Sequence, residues 1–282
     1  MLEVKNLTKV YGTGASAIEV LGGIDLAVEN DEFLCVVGPS GAGKTTLLRC
    51  TSGLTLPTSG QVTFKGVRIT APPEGVALVF QEYGRSLMPW MTVRGNVQLP
   101  LVNRKGKKER DRLVTKAVDS VGLTKFIDRY PWELSGGMQQ RVAIARALAY
   151  EPELLIMDEP FASVDAQTRI DLEDLILQVR KQYRMSVLLV THDIDEAVYL
   201  GDRVIVLSHR PSVVTEVVKI PLGSDRDQVV TKGDARFSNL RGHILSLIRR
   251  PEGVARDAPA TSQVVARPAG DGVRIASAQF RA

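Results

Sequence analysis

The 282 residues carry 36 Lys and Arg against 32 Asp and Glu, a formal charge of +4, with 44% hydrophobic and 24% charged residues; this is an ordinary globular composition in a chain long enough to bury a sizeable core. No apolar run approaches the ~20 residues that a membrane-spanning helix needs, and the basic stretch at 105–112 (KGKKERDR) is interrupted by acids, which argues against a nucleic-acid-binding surface. Cys35 and Cys50 lack metal-type spacing and read as reduced, buried thiols.

In chain order, residues 2–7 (LEVKNL) open on a strand pattern rather than on the basic start and apolar run of a secretory leader, so the chain is expected to stay in the cytoplasm. Residues 17–30 (AIEVLGGIDLAVEN) and 61–69 (QVTFKGVRI) alternate or carry turn glycines, predicting a small antiparallel layer packed at one edge of the main sheet. Between them, residues 32–37 (EFLCVV) run straight into GPSGAGKTT at 38–46, and a helix follows over TTLLRCTSG. Short apolar stretches at 76–80, 153–157, 186–190 and 203–207, separated by helical patterns, predict a mainly parallel sheet buried on both faces. From 83 to 131 the period is helical. There Leu113, Val114, Ala117, Val118 and Val121 share one face, so a helical subdomain at about 84–140 is inserted between two strands. Leu240, Ile244, Leu247 and Ile248 form an apolar stripe near the end of a domain spanning 1–250. The composition then turns to Ala, Pro and Gly, predicting a flexible tail at 251–282.

GPSGAGKTT matches the P-loop pattern in the strand-to-helix setting that such a loop requires. Along Gly38, Pro39, Ser40, Gly41, Ala42, Gly43, Lys44, Thr45 and Thr46, main-chain N–H groups would surround phosphates, with Lys44 supplying charge at the β and γ positions and the Thr45 hydroxyl available to Mg²⁺. LLIMDEP (154–160) sets Asp158 and Glu159 at the end of an apolar strand; Asp158 is expected to hold Mg²⁺ and Glu159 to polarise or deprotonate an attacking water. LSGGMQQR (134–141) is a second phosphate cradle, because Gly136 and Gly137 after Ser135 allow close approach and the helix beginning near Met138 adds its dipole. Ser135 also suits a helix N-cap. Two cradles in one chain require either a second phosphate or the nucleotide of another molecule.

In this order and spacing the motifs resemble the ATP-binding subunit of an ABC transporter over nearly all of residues 1–250. The resemblance implies an α/β fold, with a P-loop NTPase (RecA-like) core sheet, a small antiparallel β subdomain and an inserted α-helical signature subdomain. It implies ATP and Mg²⁺ as cofactors, and a head-to-tail homodimer in which Ser135 and Gly137 of LSGGM contact the γ-phosphate of ATP held by the opposite subunit. Gln81, after VALVF, would touch Mg²⁺ or the attacking water; His192, after SVLLVT, would contact the γ-phosphate. Tyr11 would stack on adenine, and Asp165 in ASVDAQTR would cross to the partner subunit. By themselves Gln81, His192 and Tyr11 read as a turn glutamine, a structural strand-end histidine and a strand-edge aromatic. Val164 stands where the family usually has leucine, and Asp31 where glycine is usual before Glu32.

QEYGRSLMPWMTVRGNVQLPL, PWELSGGMQQRVAIARAL and VLSHRP are most similar to the nitrate, sulfonate and taurine import class. That likeness implies integral membrane permease subunits, an extracytoplasmic solute-binding protein acting through them, and a peripheral position on the cytoplasmic face of the inner membrane. Met88, Pro89 and Trp90 lie where such an ATPase receives a short permease helix, although Trp90 reads equally well as core of the helical subdomain. Other cargo, such as a lipid or polyamine, is an alternative. So are a soluble ABC ATPase, which usually has paired cassettes or coiled-coil inserts, and a small-molecule P-loop kinase, which has no use for LSGGM.

Overall fold

The computed structural model describes residues 1–81, 83–103 and 106–249; the expected tail at 251–282 lies outside the described residues. Strands β1 (Leu2–Tyr11) and β2 (Ile18–Val28) pair antiparallel, with Leu2 opposite Val28 and Tyr11 opposite Ile18. Next comes β3 (Phe33–Val37), five residues all buried, which delivers the chain to α1 (Lys44–Thr51). Strands β4 (Ser59–Phe64) and β5 (Val67–Arg68) complete a four-stranded antiparallel sheet of order β2-β1-β4-β5.

After β6 (Val76–Val79) the chain leaves the sheets for α2 (Tyr83–Ser86), α3 (Val93–Gln98), α4 (Lys107–Ser120) and α5 (Gly136–Ala149), and returns at β7 (Leu154–Asp158). The helix that begins at the second glycine cradle therefore continues well past residue 140. On α4 the apolar Leu113, Val114, Ala117 and Val118 are buried while the basic start is exposed, as an amphipathic period requires. Asn96 of α3 is fully buried, and its amide nitrogen reaches the carbonyls of Met88, Met91 and Thr92, each at 3.1 Å. With its neighbours pinned in this way, Trp90 stays outside, 69% exposed. The core reading of Trp90 is therefore replaced by a surface one.

The remaining elements are α6 (Ala166–Tyr183), β8 (Ser186–Val190), α7 (Ile194–Leu200), β9 (Arg203–Leu207), β10 (Val214–Lys219), α8 (Gln228–Gly233) and α9 (Ala235–Ile248). The second sheet runs β10-β9-β3-β8-β7-β6, parallel except for the antiparallel edge strand β10.

Side chains of the central strands alternate between two cores, as the two-residue period of a strand dictates. Phe33, Cys35, Val37, Leu155, Met157, Val187 and Leu189 pack with the helical insertion, α6, α7 and α9. Leu34, Val36, Leu154, Ile156, Leu188 and Val190 pack with α1 and with Leu2, Val4, Leu26 and Val62 of the antiparallel sheet. The antiparallel layer thus covers a face of the large sheet instead of lying at its edge. Strands that are apolar on both faces need a cover on each, and α1 alone is eight residues long. Cys35 and Cys50 are free and buried, and burial raises both thiols above their ordinary value, which keeps them protonated and unreactive.

Candidate functional site

The turn from β3 into α1 is confined from several sides. A Cβ on Gly38 would lie 3.1 Å from the Cβ and carbonyl oxygen of Leu207. Gly43 has φ +83°, and a Cβ there would stand 2.6 Å from Val20 Cγ1; the left-handed angle and the crowding by β2 both demand glycine. Residues 40–46 wrap a cavity of about 390 Å³ whose other walls are Glu159, His192 and Arg210. Lys44 is buried at its base, and its Nζ donates to the carbonyls of Gly38 and Pro39 at 3.0 and 3.2 Å. Burial pulls the ammonium below its ordinary value against the opposing attraction of Glu159 and Asp158. A cation in that position gains most from an incoming polyanion.

Asp158 ends β7, 6% exposed, and accepts a long hydrogen bond of 3.4 Å from the Thr45 hydroxyl. Burial, with the nearby charge of Glu159 adding to it, raises its carboxyl above the ordinary range. Glu159 follows at φ 43°, its N–H held by the Val190 carbonyl at 2.8 Å. Its Oε2 accepts from Gln81 Nε2 at 3.4 Å and lies 3.0 Å from His192 Nδ1. Three separate strand ends, those of β6, β7 and β8, so converge on one carboxylate oxygen at the mouth of the loop.

The second cradle is built as expected locally but stands elsewhere. Ser135 caps α5, its Oγ accepting from the Met138 N–H at 3.3 Å. Asp165 caps α6, accepting from Thr168 N at 3.0 Å and Thr168 Oγ1 at 2.6 Å, bonds that hold its carboxyl below the usual range. The two meet through Thr168, because a Cβ on Gly137 would fall 2.3 Å from Thr168 Cγ2. None of Ser135, Gly136, Gly137, Met138 and Asp165 lines the cavity. Tyr11 does not line it either; it is 41% exposed at the end of β1, with Lys9 Nζ 5.2 Å from its ring centre.

Two further groups lie in family-like stretches of the sequence without a role of their own there. Arg210, inside the import-class-like stretch VLSHRP, is a cavity wall. Arg169, on α6, bonds Asp193 at 3.1 Å and lies 3.7 Å from Glu196, next to the loop of His192. Only tertiary contact reveals what either of them touches.

The family described as ABC transporter matches residues 21–162 of this chain. A nitrate import ATP-binding protein of Synechocystis sp. is 41% identical over 89% of this chain and 96% of its own length. The chain belongs to the ABC transporter family. An uncharacterized ABC transporter ATP-binding protein of Methanocaldococcus jannaschii is 47% identical over 88% of this chain and 91% of its own, and a bicarbonate transport ATP-binding protein of Synechocystis sp. is 40% identical over 88% of each. Among solved structures, the dimeric structure of a post-hydrolysis state of an ATP-binding cassette bound to ADP and Pi superimposes with a TM-score of 0.68 at 32% identity, covering 78% of this chain and 99% of that one. This ABC cassette binds ATP and hydrolyses it, on a P-loop NTPase fold.

The donor set beside the cassette's P-loop suits a hard divalent cation. Thr45 and Asp158 present oxygen ligands, and the buried Asp158 carboxylate has only Thr45 as a side-chain hydrogen-bond donor among the described residues.

Proposed function

We propose that this cassette powers the import of a small solute through a membrane permease, working as a homodimer that encloses two ATP molecules. The observation that carries the reading is the convergence of Gln81 and His192 on Glu159 Oε2 at the mouth of the P-loop. A carboxylate held at a strand end by two side chains is placed to accept a proton from a water attacking the γ-phosphate. His192 orients that carboxylate and reaches the terminal phosphate. Residues 40–46 cradle the triphosphate with N–H groups, Lys44 exchanges its loop carbonyls for β and γ oxygens, and Tyr11 stacks on adenine. Thr45, Asp158 and Gln81 would hold Mg²⁺, which when bound neutralises charge on the phosphate oxygens.

Ser135, Gly136, Gly137 and Met138 stand apart from their own chain's cavity, which supports their use on the nucleotide of a second copy, with Asp165 crossing the same interface. ATP then draws two cassettes together and hydrolysis releases them, so that turnover becomes a closing and opening stroke. The names of the nitrate and bicarbonate relatives support a small anion as cargo, with sulfonate or taurine in the same chemical range. Permease subunits, a solute-binding protein outside the membrane and a peripheral position on the cytoplasmic face complete the assembly. Among the described residues no helix is long and apolar enough to cross a membrane, and the exposed Trp90 beside Met88 and Pro89 supports a permease contact there.

The test is reconstitution in lipid vesicles with a permease and a solute-binding protein of the same organism. ATP-dependent uptake of nitrate, bicarbonate or a sulfonate, abolished by Glu159→Gln, is the expected result. ATP hydrolysis indifferent to permease and solute would remove the import reading.

A further inference from the structure

The connection between β9 and β10 does more than turn the chain. Val213 N–H donates to Ser208 Oγ at 3.0 Å and Ser208 N–H to the Val213 carbonyl at 3.0 Å, closing a tight loop. Its tip is fastened to β2, with Ser212 N–H on the Val20 carbonyl at 3.0 Å and Gly22 N–H on the Ser212 carbonyl at 2.8 Å. From that anchorage two side chains reach successive carbonyls of the P-loop. Arg210 Nε donates to Gly41 and the fully buried Ser212 Oγ donates to Ala42. These two bonds hold the Gly41 and Ala42 carbonyls, and with them the course of the loop that lines the cavity.

Arg210 does not end at that bond. Its Nε is committed to Gly41, while among the described residues no hydrogen bond or ion pair engages its two terminal nitrogens, and the side chain is a wall of the same cavity as Lys44, Glu159 and His192. Lys44 is a point charge at the base of the cavity; a guanidinium at the wall adds a planar fork that matches phosphate geometry.

We propose that Arg210 contacts the terminal phosphates of the bound nucleoside triphosphate as a second cation of the site, while Arg210 Nε and Ser212 hold the P-loop in its binding shape. This rests on the reading of the cavity as the ATP site. Because the contact is to terminal phosphates, removing it affects ATP more than ADP. A loop-holding role alone affects both equally.

The experiment measures dissociation constants for ATP and ADP, each with Mg²⁺, by calorimetry on the full chain carrying Glu159→Gln to block turnover. Added Arg210→Ala is expected to weaken ATP about tenfold or more and ADP by no more than about threefold, in line with a charge-assisted hydrogen bond. Arg210→Lys is expected to recover part of the ATP affinity, since it restores the charge but not the fork. Equal losses for both nucleotides, or no loss, would overturn the phosphate contact. If the alanine variant loses its thermal unfolding transition, Arg210→Gln keeps an N–H donor for Gly41 without the charge, and the same ATP-to-ADP comparison decides. Absence of ATP binding by the parent would count against the site itself, an outcome distinct from failure of the Arg210 assignment.

Discussion

Glu159 holds a backbone angle, φ 43°, that side-chain-bearing residues rarely adopt. Strain of this kind persists where the surroundings over-determine it, and here the Val190 carbonyl fixes the N–H while His192 and Gln81 fix the carboxylate. Glu159→Gln keeps the shape and removes the proposed base, so ATP affinity is expected to stay within about threefold while hydrolysis falls by about 10²–10⁴; single-turnover assays with labelled ATP measure the second quantity directly. Lys44→Ala takes away a cation that burial has already made costly, and ATP titration is expected to show a loss of about tenfold or more. Both residues are legible in the sequence, because a motif points to Lys44 and an apolar strand end points to Glu159. Asp31 is half legible. Its departure from the usual glycine is visible in the sequence, but only the angle φ 55° gives the reason glycine suits the position. Asp31→Gly is expected to raise unfolding free energy by up to about 1 kcal/mol in urea titrations, through relief of a left-handed angle. Arg210 is legible only as part of the class-like stretch VLSHRP; its place at the cavity wall shows only once the β9–β10 connection is set against the P-loop.

At the scale of elements, the alternation of β3, β7 and β8 between two cores follows from their apolar runs, and the helical insertion follows from the period of α4. What the sequence could not convey is how the elements are wired to one another. Burial pushes the Glu196 carboxyl up to about 7 even though it accepts a hydrogen bond from the Thr191 hydroxyl at 2.6 Å; Asp193 and Glu173 add to the rise, and Arg169 opposes it. The same arginine bonds Asp193, so α6, capped by Asp165, is tied to the turn that carries His192. The folded state binds the Glu196 proton more tightly than the unfolded chain does, where the ordinary value is 4.5. Its contribution to stability is therefore complete below that value and is lost as pH rises through about 7. Glu196→Gln accepts the same hydroxyl bond without titrating. Urea unfolding at acid and alkaline pH is expected to show a pH dependence smaller by up to ~3 kcal/mol in the variant. An unchanged dependence would place the titrating group elsewhere.

For the whole molecule, the decisive fact is a separation. Residues 40–46, Glu159 and His192 line one cavity, with Asp158 bonded to Thr45 and Gln81 to Glu159, while Ser135 caps α5 and Gly137 lies against Thr168. If the second cradle serves a partner's nucleotide, each pocket draws its P-loop from one copy and its signature from the other. Two defective chains can then repair each other. In a dimer that pairs Lys44→Ala with Ser135→Arg, one pocket combines both lesions, but the other combines an intact P-loop from the second chain with an intact signature from the first. Ser135 is exposed, so its replacement costs the fold little beyond an N-cap worth about 1 kcal/mol. Each variant alone is expected to be nearly inactive in permease-stimulated ATP hydrolysis, and their mixture to regain activity in proportion to the mixed dimers formed. If each pocket were instead completed within one chain, no mixture would contain an intact site, and the activity of mixed samples would stay at the level of the separate variants at every ratio.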